Sequence, residues 1–392
     1  MKLPITFYGI IARVINLFVP VKTNHWIFGA DYGNMYREGS KYMLEFMLQK
    51  HKDFKCCFVT RNKKIKEDLD KLGIPCVLNF TIHGMITIAA ADVVFCCQSL
   101  KTDIFFAYKK RKRRHFYLVH GQPLKLAFSA LPESYRNAYG MGSNKWAGLF
   151  NYINSGVKTE DSVFVGATSE FLKPFMEKDF GYKIPVRVIG MPRNDGLFDD
   201  QRMKSEKWID GVKGKFVITY MPTHRKYGQG EVSPSPFINR QDYQEWMRDN
   251  GIVLLVKQHP NMIPRLKEVK QTDVVRDITC DRLDPQVCLY HSDALITDFS
   301  SVWMDYLLLR RPVLFYIYDD FEHDDAGCHY DIREDPPGHF CKTEDELFEL
   351  IKKTKDDYNS MRPSDQIVSK YHKYVDGNSC MRYFNAVMED KE

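Results

Sequence analysis

The sequence predicts an α/β protein built from two doubly wound, Rossmann-like domains that face a central cleft. Short apolar runs alternate with segments of helix length, a pattern typical of βαβ units around parallel sheets. The alternation occurs in both halves of the chain, on either side of a stretch rich in Gly, Pro and acidic residues. With 392 residues, the chain is also longer than one ordinary core requires.

The first half of the chain alternates strands and helices as far as residue 122. Its strands are expected at His25–Ala30, Phe54–Thr60, Pro75–Leu78, Asp92–Cys97 and His115–His120. Its helices are expected at Glu38–Gln49, Asn62–Leu72 and Ile82–Ala91. After an irregular region at 123–160, a further strand, helix and strand are expected at Ser162–Ala167, Glu170–Asp179 and Val186–Ile189.

The second half repeats this plan. Its strands are expected at Phe216–Met221, Ile252–Lys257, Ala294–Thr297 and Val313–Tyr316. Its helices are expected at Gln241–Asp249, Pro285–His291, Ser300–Leu309 and Glu344–Tyr358, with a last helix at Ser379–Asp390. We therefore predict an amphipathic segment over residues 1–22, a first domain over 23–190, a second over 191–365, and a tail over 366–392 that packs across the domains.

Composition excludes several classes of protein. The chain has 56 basic and 51 acidic residues, and a net charge of +5 does not indicate a nucleic-acid partner. Its ten cysteines contain no Cys-x-x-Cys pair, which argues against a zinc site and fits a reducing cytosol. The acidic residues Asp319–Asp325 lack regular ligand spacing, so no metal is expected. Walker, dinucleotide-binding and nucleophile-elbow motifs are missing from the sequence.

Two segments suggest contact with a membrane. In residues 1–22 the apolar side chains Phe7, Ile10 and Val14 share one helical face, as in a helix that lies on a membrane. The alternative is a helix packed on the first domain. Lys109–Arg114 is an unbroken run of six basic residues, which suits anionic lipid headgroups or a polyanionic substrate. A solvated loop is the alternative.

Three distant segments each follow an apolar strand. They are His120–Lys125, Lys257–Pro260 and Thr297–Ser301. In an open α/β sheet, ligands bind at the carboxyl ends of the strands, so these segments predict a substrate site. His120 can act as a general base near neutral pH, and Lys125 can hold a phosphate. The alternative for His120 is a histidine that merely ends a strand.

The other two segments suit a phosphorylated donor. Lys257 and His259 project to the same side of their strand and can jointly bind a pyrophosphate. Ser300 or Ser301 can cap the helix that follows, whose first N–H groups attract phosphate. A polar strand end and an ordinary helix cap, respectively, are the alternatives.

Two further strand ends carry polar residues of the same kind. Thr223 and Arg225 follow the strand Phe216–Met221, and Arg offers a bidentate donor for phosphate. Arg193 and Asp195 follow the strand at Val186–Ile189, near the domain boundary. They are either substrate contacts or structural contacts of a hinge.

In combination and in this order, the motifs resemble a known family. His-Gly-Gln-Pro-Leu-Lys, Gly-Met-Pro-Arg-Asn-Asp, Pro-Thr-His-Arg, Lys-Gln-His-Pro, Thr-Asp-Phe-Ser-Ser-Val and the late Asp376-Gly377 resemble the CDP-glycerol glycerophosphotransferase family over about residues 115–385. The resemblance implies a GT-B type fold and a peripheral enzyme at the cytoplasmic face of the cell membrane. It implies transfer of an alditol phosphate from a CDP-alditol to a hydroxyl of a lipid-linked acceptor, with release of CMP, in teichoic acid or capsule polymer synthesis.

The resemblance also implies roles for individual residues. His120 is similar to the family's base, and His259 to its second catalytic histidine. The residues similar to donor- or phosphate-binding positions are Thr223, Arg225, Lys257, Asp298, Ser300 and Ser301. The residues expected to be further substrate contacts are Lys125, Arg193, Asp195 and Asp376. His224 departs from the family, which usually has Trp at this position.

The expected partners are CDP-glycerol or CDP-ribitol, a lipid-linked glycan acceptor and an anionic membrane surface, without a cofactor, a metal or a nucleic acid. Glycerol phosphate is the expected transferred group, and the length of the chain favours a primase-like or short-polymer enzyme. One alternative is a GT-B glycosyltransferase that uses a nucleotide sugar in the synthesis of an envelope polysaccharide. Another is a catalytically idle, membrane-associated binding protein.

Overall fold

The computed structural model describes residues 5–99, 101–138, 149, 152–153, 157–223, 235–258, 271–281, 283–319 and 327–390. The chain forms two compact units. Unit 1 comprises residues 1–122, 127–196 and 376–392, and unit 2 comprises residues 123–126 and 197–375. The chain thus leaves unit 1 after Gly196 and returns at Asp376, whereas the sequence suggested divisions after residues 190 and 365.

Unit 1 contains a five-stranded parallel sheet in the order β3-β2-β1-β4-β5. These strands are β1 (Lys22–Phe28), β2 (Lys55–Thr60), β3 (Cys76–Leu78), β4 (Ala91–Cys96) and β5 (Arg114–Tyr117). A separate parallel pair follows, formed by β6 (Val165–Ala167) and β7 (Val186–Val188). All six residues of β4 are buried, as expected for the middle of a parallel sheet.

The helices of unit 1 connect successive strands or pack on the sheet. They are α1 (Ile5–Phe18), α2 (Glu38–Lys50), α3 (Lys63–Lys71), α4 (Ile82–Ala90), α5 (Glu133–Ala138) and α6 (Lys173–Asp179). The side chains of Asn62 and Thr81 cap α3 and α4 by accepting backbone N–H groups. These caps explain why the predicted starts of the two helices are close to the observed ones.

Unit 2 contains a six-stranded parallel sheet in the order β10-β9-β8-β11-β12-β13. Its strands are β8 (Phe216–Tyr220), β9 (Ile252–Val256), β10 (Val275–Asp277), β11 (Ala294–Thr297), β12 (Val313–Tyr316) and β13 (His339–Cys341). Its helices are α7 (Asp200–Ser205), α8 (Gln241–Asp249), α9 (Pro285–His291), α10 (Val302–Leu307), α11 (Glu344–Asp356) and α12 (Asp365–Tyr371). The last helix of the chain, α13 (Ser379–Glu389), belongs to unit 1.

Both sheets are wound in the same Rossmann order, which confirms the predicted fold class. In each sheet the strand order reverses beside the first strand of the unit. That point lies between β1 and β4 in unit 1 and between β8 and β11 in unit 2. Ligands of doubly wound sheets bind in the crevice beyond the carboxyl ends of the strands at such a point.

The strand predicted at His115–His120 ends earlier than expected, at Tyr117. Val119 has a φ of +51°, a left-handed conformation that a strand cannot contain. The strands β10 and β13 were missed. Each is only three residues long, and two residues of each are only partly buried, so neither strand produces an apolar run in the sequence.

The N-terminal helix α1 packs on unit 1 along one face only. Ala12 is buried beside Met85 of α4 and three aromatic residues of the 105–108 segment. The opposite face leaves Leu17 and Phe18 80% and 81% exposed. No helix in the described part of the chain is long and apolar enough to cross a membrane.

Candidate active site

His120 lies on a strained turn just beyond the carboxyl end of β5. Val119, the preceding residue, is β-branched and buried, and its left-handed φ of +51° costs about 1–3 kcal/mol. Such conformations persist where the surrounding structure holds them, and they cluster at functional sites. The turn directs the chain out of the sheet and leaves the side chain of His120 exposed.

The turn is held by a buried ion pair. Arg193 donates from Nη1 to Oε2 of Glu38 at 2.7 Å and also to the backbone carbonyl of His120. The side chains of Arg193 and Glu38 are only 9% and 13% exposed. Arg193 was predicted as a substrate contact, and the structure places its guanidinium on protein groups beside the candidate base.

The surroundings of His120 favour a neutral imidazole. Its pKa is lowered, chiefly because close-packed protein atoms limit the hydration of the charged form, even though the ring reaches solvent. Glu38 raises this pKa, Arg193 and Arg37 lower it, and a hydrogen bond with the backbone of Cys97 raises it. Because the net shift is downward, His120 is ready to accept a proton at neutral pH.

The chain that leaves β1 approaches the same edge of the sheet through a left-handed turn. Asp31, Tyr32 and Gly33 have φ values of +49°, +56° and +73° in succession. The buried carboxylate of Asp103 accepts the backbone N–H groups of Tyr32 and Cys97, each at 2.8 Å. Asp103 therefore ties the loop after β1 to the end of β4, at the point where the strand order reverses.

Asp195 and Asp376, two other predicted substrate contacts, bind protein groups around α13. Asp195 accepts the backbone N–H groups of Ser379 and Cys380 at 2.8 and 2.7 Å, which satisfies free donors at the start of this helix. Asp376 forms two hydrogen bonds with the guanidinium of Arg382, at 2.8 and 2.9 Å. Asp195 thus anchors the returning C-terminal segment to the rest of unit 1, whereas Asp376 forms an ion pair within that segment.

In unit 2, three of the predicted donor-binding residues, Thr223, Asp298 and Ser300, are in contact beside the point of reversal between β8 and β11. Oδ1 of Asp298 accepts Oγ1 of Thr223 at 2.6 Å, the backbone N–H of Thr223 at 2.8 Å and that of Ser300 at 3.1 Å. Asp298 is 1% exposed. It therefore acts as a support that joins the two strand ends. Ser301 follows directly as the residue before α10, and its side chain makes no capping hydrogen bond.

Lys257 and Lys125 also lie in unit 2. Lys257 follows β9 and is 8% exposed, but it forms no ion pair with any residue that the structure describes. Lys125 pairs with Cys328 through an antiparallel bridge. Only five residues after His120, the chain has therefore joined the other unit.

The basic run Lys109–Arg114 is largely occupied by structural contacts. The guanidinium of Arg113 is buried and donates to the carbonyls of Ile88, Ala89, Ala91 and Tyr108 at 2.6–2.9 Å. This arrangement satisfies carbonyls at the C-terminal end of α4. Three other residues of the run also donate hydrogen bonds to protein groups. They are Lys109 to Asp161, Lys110 to the carbonyls of Val19 and Ala89, and Arg114 to the carbonyl of Val387.

A cavity of about 400 Å³ lies beside this run and is lined by five of its six basic residues. Burial lowers the pKa of Lys110 to about 8.

Among the residues that the structure describes, no group of three or more His, Cys, Asp or Glu side chains is placed to hold a metal ion. The predicted site residues Arg225 and His259 lie outside the described residues.

Sequence reasoning missed two residues of unit 1. Glu38 was assigned only to the start of a helix, and Asp103 was not selected at all. Glu38 has a φ of +64°, a conformation that is uncommon for a residue other than glycine, but no sequence pattern reports it. Asp103 directly precedes the apolar residues Ile104–Ala107, and an acidic residue at the start of an apolar segment was the available signal.

Comparison with known proteins identifies the family. The model of the family described as CDP-Glycerol:Poly(glycerophosphate) glycerophosphotransferase matches residues 11–389. The chain is 24% identical to a teichoic acid poly(glycerol phosphate) polymerase of Bacillus spizizenii, over 95% of this chain and 93% of that protein. It is also 24% identical to a teichoic acid glycerol-phosphate transferase of Staphylococcus aureus, over 92% of each chain.

A solved structure supports the fold independently. The wall teichoic acid polymerase TagF superposes with a TM-score of 0.76 at 20% identity, over 98% of this chain and 94% of that one. This likeness confirms the GT-B type architecture that the sequence predicted. Since the family model spans nearly the whole chain, the predicted resemblance is confirmed as well, and this protein is a transferase of the CDP-glycerol:poly(glycerophosphate) glycerophosphotransferase family.

Proposed function

We propose that this protein transfers an alditol phosphate, glycerol phosphate in the first instance, from a CDP-alditol to a hydroxyl of a lipid-linked acceptor. The observation that carries the proposal is the placement of His120. It combines an exposed imidazole, a lowered pKa and a strained turn at the carboxyl end of a strand. These properties suit a base that must be neutral before it accepts a proton.

In the proposed reaction, a ring nitrogen of His120 takes the proton of the acceptor hydroxyl as its oxygen attacks phosphorus. The attacked phosphorus is the one that bears the alditol. A new P–O bond forms to the acceptor, while the bond from this phosphorus to the bridging oxygen of the pyrophosphate breaks. CMP leaves with the electron pair of that bond. Such transfers depend mainly on positioning and on stabilisation of the phosphate charge.

The proposed donor-binding groups lie in unit 2. Thr223, Ser300 and Ser301 lie where doubly wound sheets bind nucleotides, and Asp298 holds the first two in place. Lys257 is a largely buried cation without a described carboxylate partner, which suits a contact to the pyrophosphate. Arg225 is proposed as a second cation that binds the donor, and His259 as the histidine on the donor side.

The proposed cellular location is the cytoplasmic face of the membrane. Five apolar side chains of α1 are exposed on its outer face, and α4, which packs beside α1, exposes two more. These residues are Phe7, Ile10, Val14, Leu17, Phe18, Ile82 and Ile86. We call this surface the apolar platform. A helix face of this kind can lie among lipid headgroups, where the acceptor of the proposed reaction is anchored.

The proposal is tested by CMP release from CDP-glycerol and from CDP-ribitol, with a lipid-linked disaccharide acceptor in liposomes. We expect release that requires the acceptor, and we expect His120→Ala to lower its rate about 10²- to 10⁴-fold while donor binding persists. His25→Ala, in β1 of the same unit, is the matched histidine control and should retain activity. If neither donor releases CMP, the proposal is wrong, and nucleotide sugars become the donors to test.

A further inference from the structure

We propose that Glu38 and Arg193 form a positioning pair for His120, in which Arg193 fixes the backbone of the base and Glu38 balances the charge that the base gains. The proposal rests on the role of His120 as base and goes beyond it. It assigns Glu38 a part in transfer that the sequence did not suggest. It also changes the expected role of Arg193 from a substrate contact to a residue that acts through the base.

Arg193 is placed to control the conformation of the turn. One nitrogen, Nη1, donates both to Glu38 at 2.7 Å and to the carbonyl of His120. That carbonyl belongs to the residue immediately after the strained Val119. Without this donor the turn would be free to relax toward an ordinary extended conformation, and the imidazole would move with it. A misplacement of about 1 Å is enough to slow a reaction on the order of 100-fold.

Glu38 reaches this position because of the way α2 begins. Its own φ of +64° turns the chain sharply between an extended Arg37 and the helix. Gly39 follows, and a Cβ at this residue would lie 3.2 Å from the side chain of Leu118. The start of α2 therefore packs tightly against the residues that lead to His120, which brings the carboxylate of Glu38 beside the turn.

The charges around His120 are nearly balanced. Glu38 and Arg37 face it from the start of α2, and Arg193 faces it from the 192–198 turn. Arg37 is itself paired with Asp31 at 2.7 Å. When His120 accepts the acceptor's proton, Glu38 stabilises the imidazolium, whereas Arg193 opposes it. The pair thus fixes the geometry without making the ring too acidic to serve as a base.

The test is the titration of His120, measured by NMR on histidine-labelled protein, together with the pH profile of kcat. Glu38→Gln keeps a hydrogen-bonding group of the same size but removes the negative charge, so we expect the pKa of His120 to fall. Arg193→Met removes the positive charge, so we expect that pKa to rise. In both variants kcat should fall about 10- to 100-fold, with a smaller change in KM. Arg193→Met misplaces the base, whereas Glu38→Gln removes the charge that stabilises the imidazolium. The double variant should return the pKa toward its original value without restoring kcat.

Arg187→Met provides the matched control. Arg187 also forms a partly buried ion pair in unit 1, with Asp390 at 2.8 Å, and should leave the His120 titration unchanged. Shifts in the same direction for Glu38→Gln and Arg193→Met, or no shifts, would overturn the proposal. If Arg193→Met does not fold, Arg193→Lys takes its place. Lys keeps the positive charge but loses the planar guanidinium, so the pKa of His120 should change little while kcat falls. Because the titration needs no substrate, opposite shifts in an enzyme that releases no CMP would support the pair and refute the proposed reaction.

Discussion

Asp298 shows how a single buried carboxylate can join the ends of two strands. Its Oδ1 receives three hydrogen bonds, two from Thr223 and one from Ser300. Hydrogen bonds to a charged acceptor contribute about 1.5–3 kcal/mol each, roughly twice the value for neutral partners. The ends of β8 and β11 are therefore joined at the point where a nucleotide is expected to bind.

We predict that Asp298→Asn lowers the affinity for CDP-glycerol at least about tenfold, because the weaker neutral acceptor lets Thr223 and Ser300 move. Thr223→Val, which keeps the backbone hydrogen bond and loses the hydroxyl, should have a smaller effect. Isothermal titration calorimetry measures both. Asp293→Asn is the control, since Asp293 accepts the N–H of Val217 at 2.8 Å at the amino end of the same strands. If Asp293→Asn weakens binding as much, the effect comes from general loss of stability.

At the scale of residues, the sequence indicated that Thr223, Asp298 and Ser300 lie together, but not what each predicted residue touches. The sequence predicted the strand ends at His120, Thr223 and Asp298, because an apolar run followed by polar residues can be seen in the sequence itself. The pairing of Arg193 with Glu38 joins residues 155 apart, and nothing local reports it. Whether a polar residue faces a substrate or another side chain depends on the long-range packing that brings such pairs together.

Among the structural elements, the basic run Lys109–Arg114 differs most from what its sequence suggests. An unbroken series of cations suggests an anionic partner, but Arg113 binds four backbone carbonyls around the end of α4. Its planar group, with five donors, fits this cluster of carbonyls in a way that a lysine does not. Arg111 and Lys112, by contrast, are exposed.

We predict that Arg113→Met destabilises the protein by about 2–4 kcal/mol, because it leaves several buried carbonyls without donors. Arg111→Met, two residues away on the surface, should change stability by less than about 0.5 kcal/mol. Urea unfolding followed by circular dichroism compares the two. Similar stabilities for both variants would mean that water satisfies the carbonyls and that Arg113 is dispensable for the fold.

For the molecule as a whole, two parallel α/β domains could be predicted from the alternation of elements, since parallel neighbours require helical crossovers. The returning C-terminal segment was harder to assign. Helix α13 was predicted close to its observed bounds, but its attachment to unit 1 depends on Asp195 and on Gly166, whose absent side chain leaves room for Tyr383. Such contacts between distant segments have no periodic signature.

The N-terminal helix packs on unit 1 and also keeps an exposed apolar face. One face of α1 packs on unit 1 through Ala12, as a structural helix does, and the other presents the apolar platform. The carbonyl of Val19, just after α1, and that of Ala89 in α4 both accept Nζ of Lys110, at 2.6 and 3.2 Å. The platform therefore ends beside the basic run, whose exposed members Arg111 and Lys112 are available to anionic lipid.

We predict that the Leu17→Glu, Phe18→Glu double variant no longer floats with liposomes that contain anionic lipid, because it places two charges on the apolar platform. Leu72→Glu alters a side chain that is 71% exposed at the end of α3, outside the platform, and should float normally. Replacing Arg111 and Lys112 by Gln should weaken binding only to liposomes that contain anionic lipid, by about 1 kcal/mol for each lost positive charge. If the platform variant still floats, α1 is a structural helix and the protein reaches its acceptor by another surface. CMP release with a water-soluble acceptor separates the two cases, since loss of membrane contact alone should leave that activity intact.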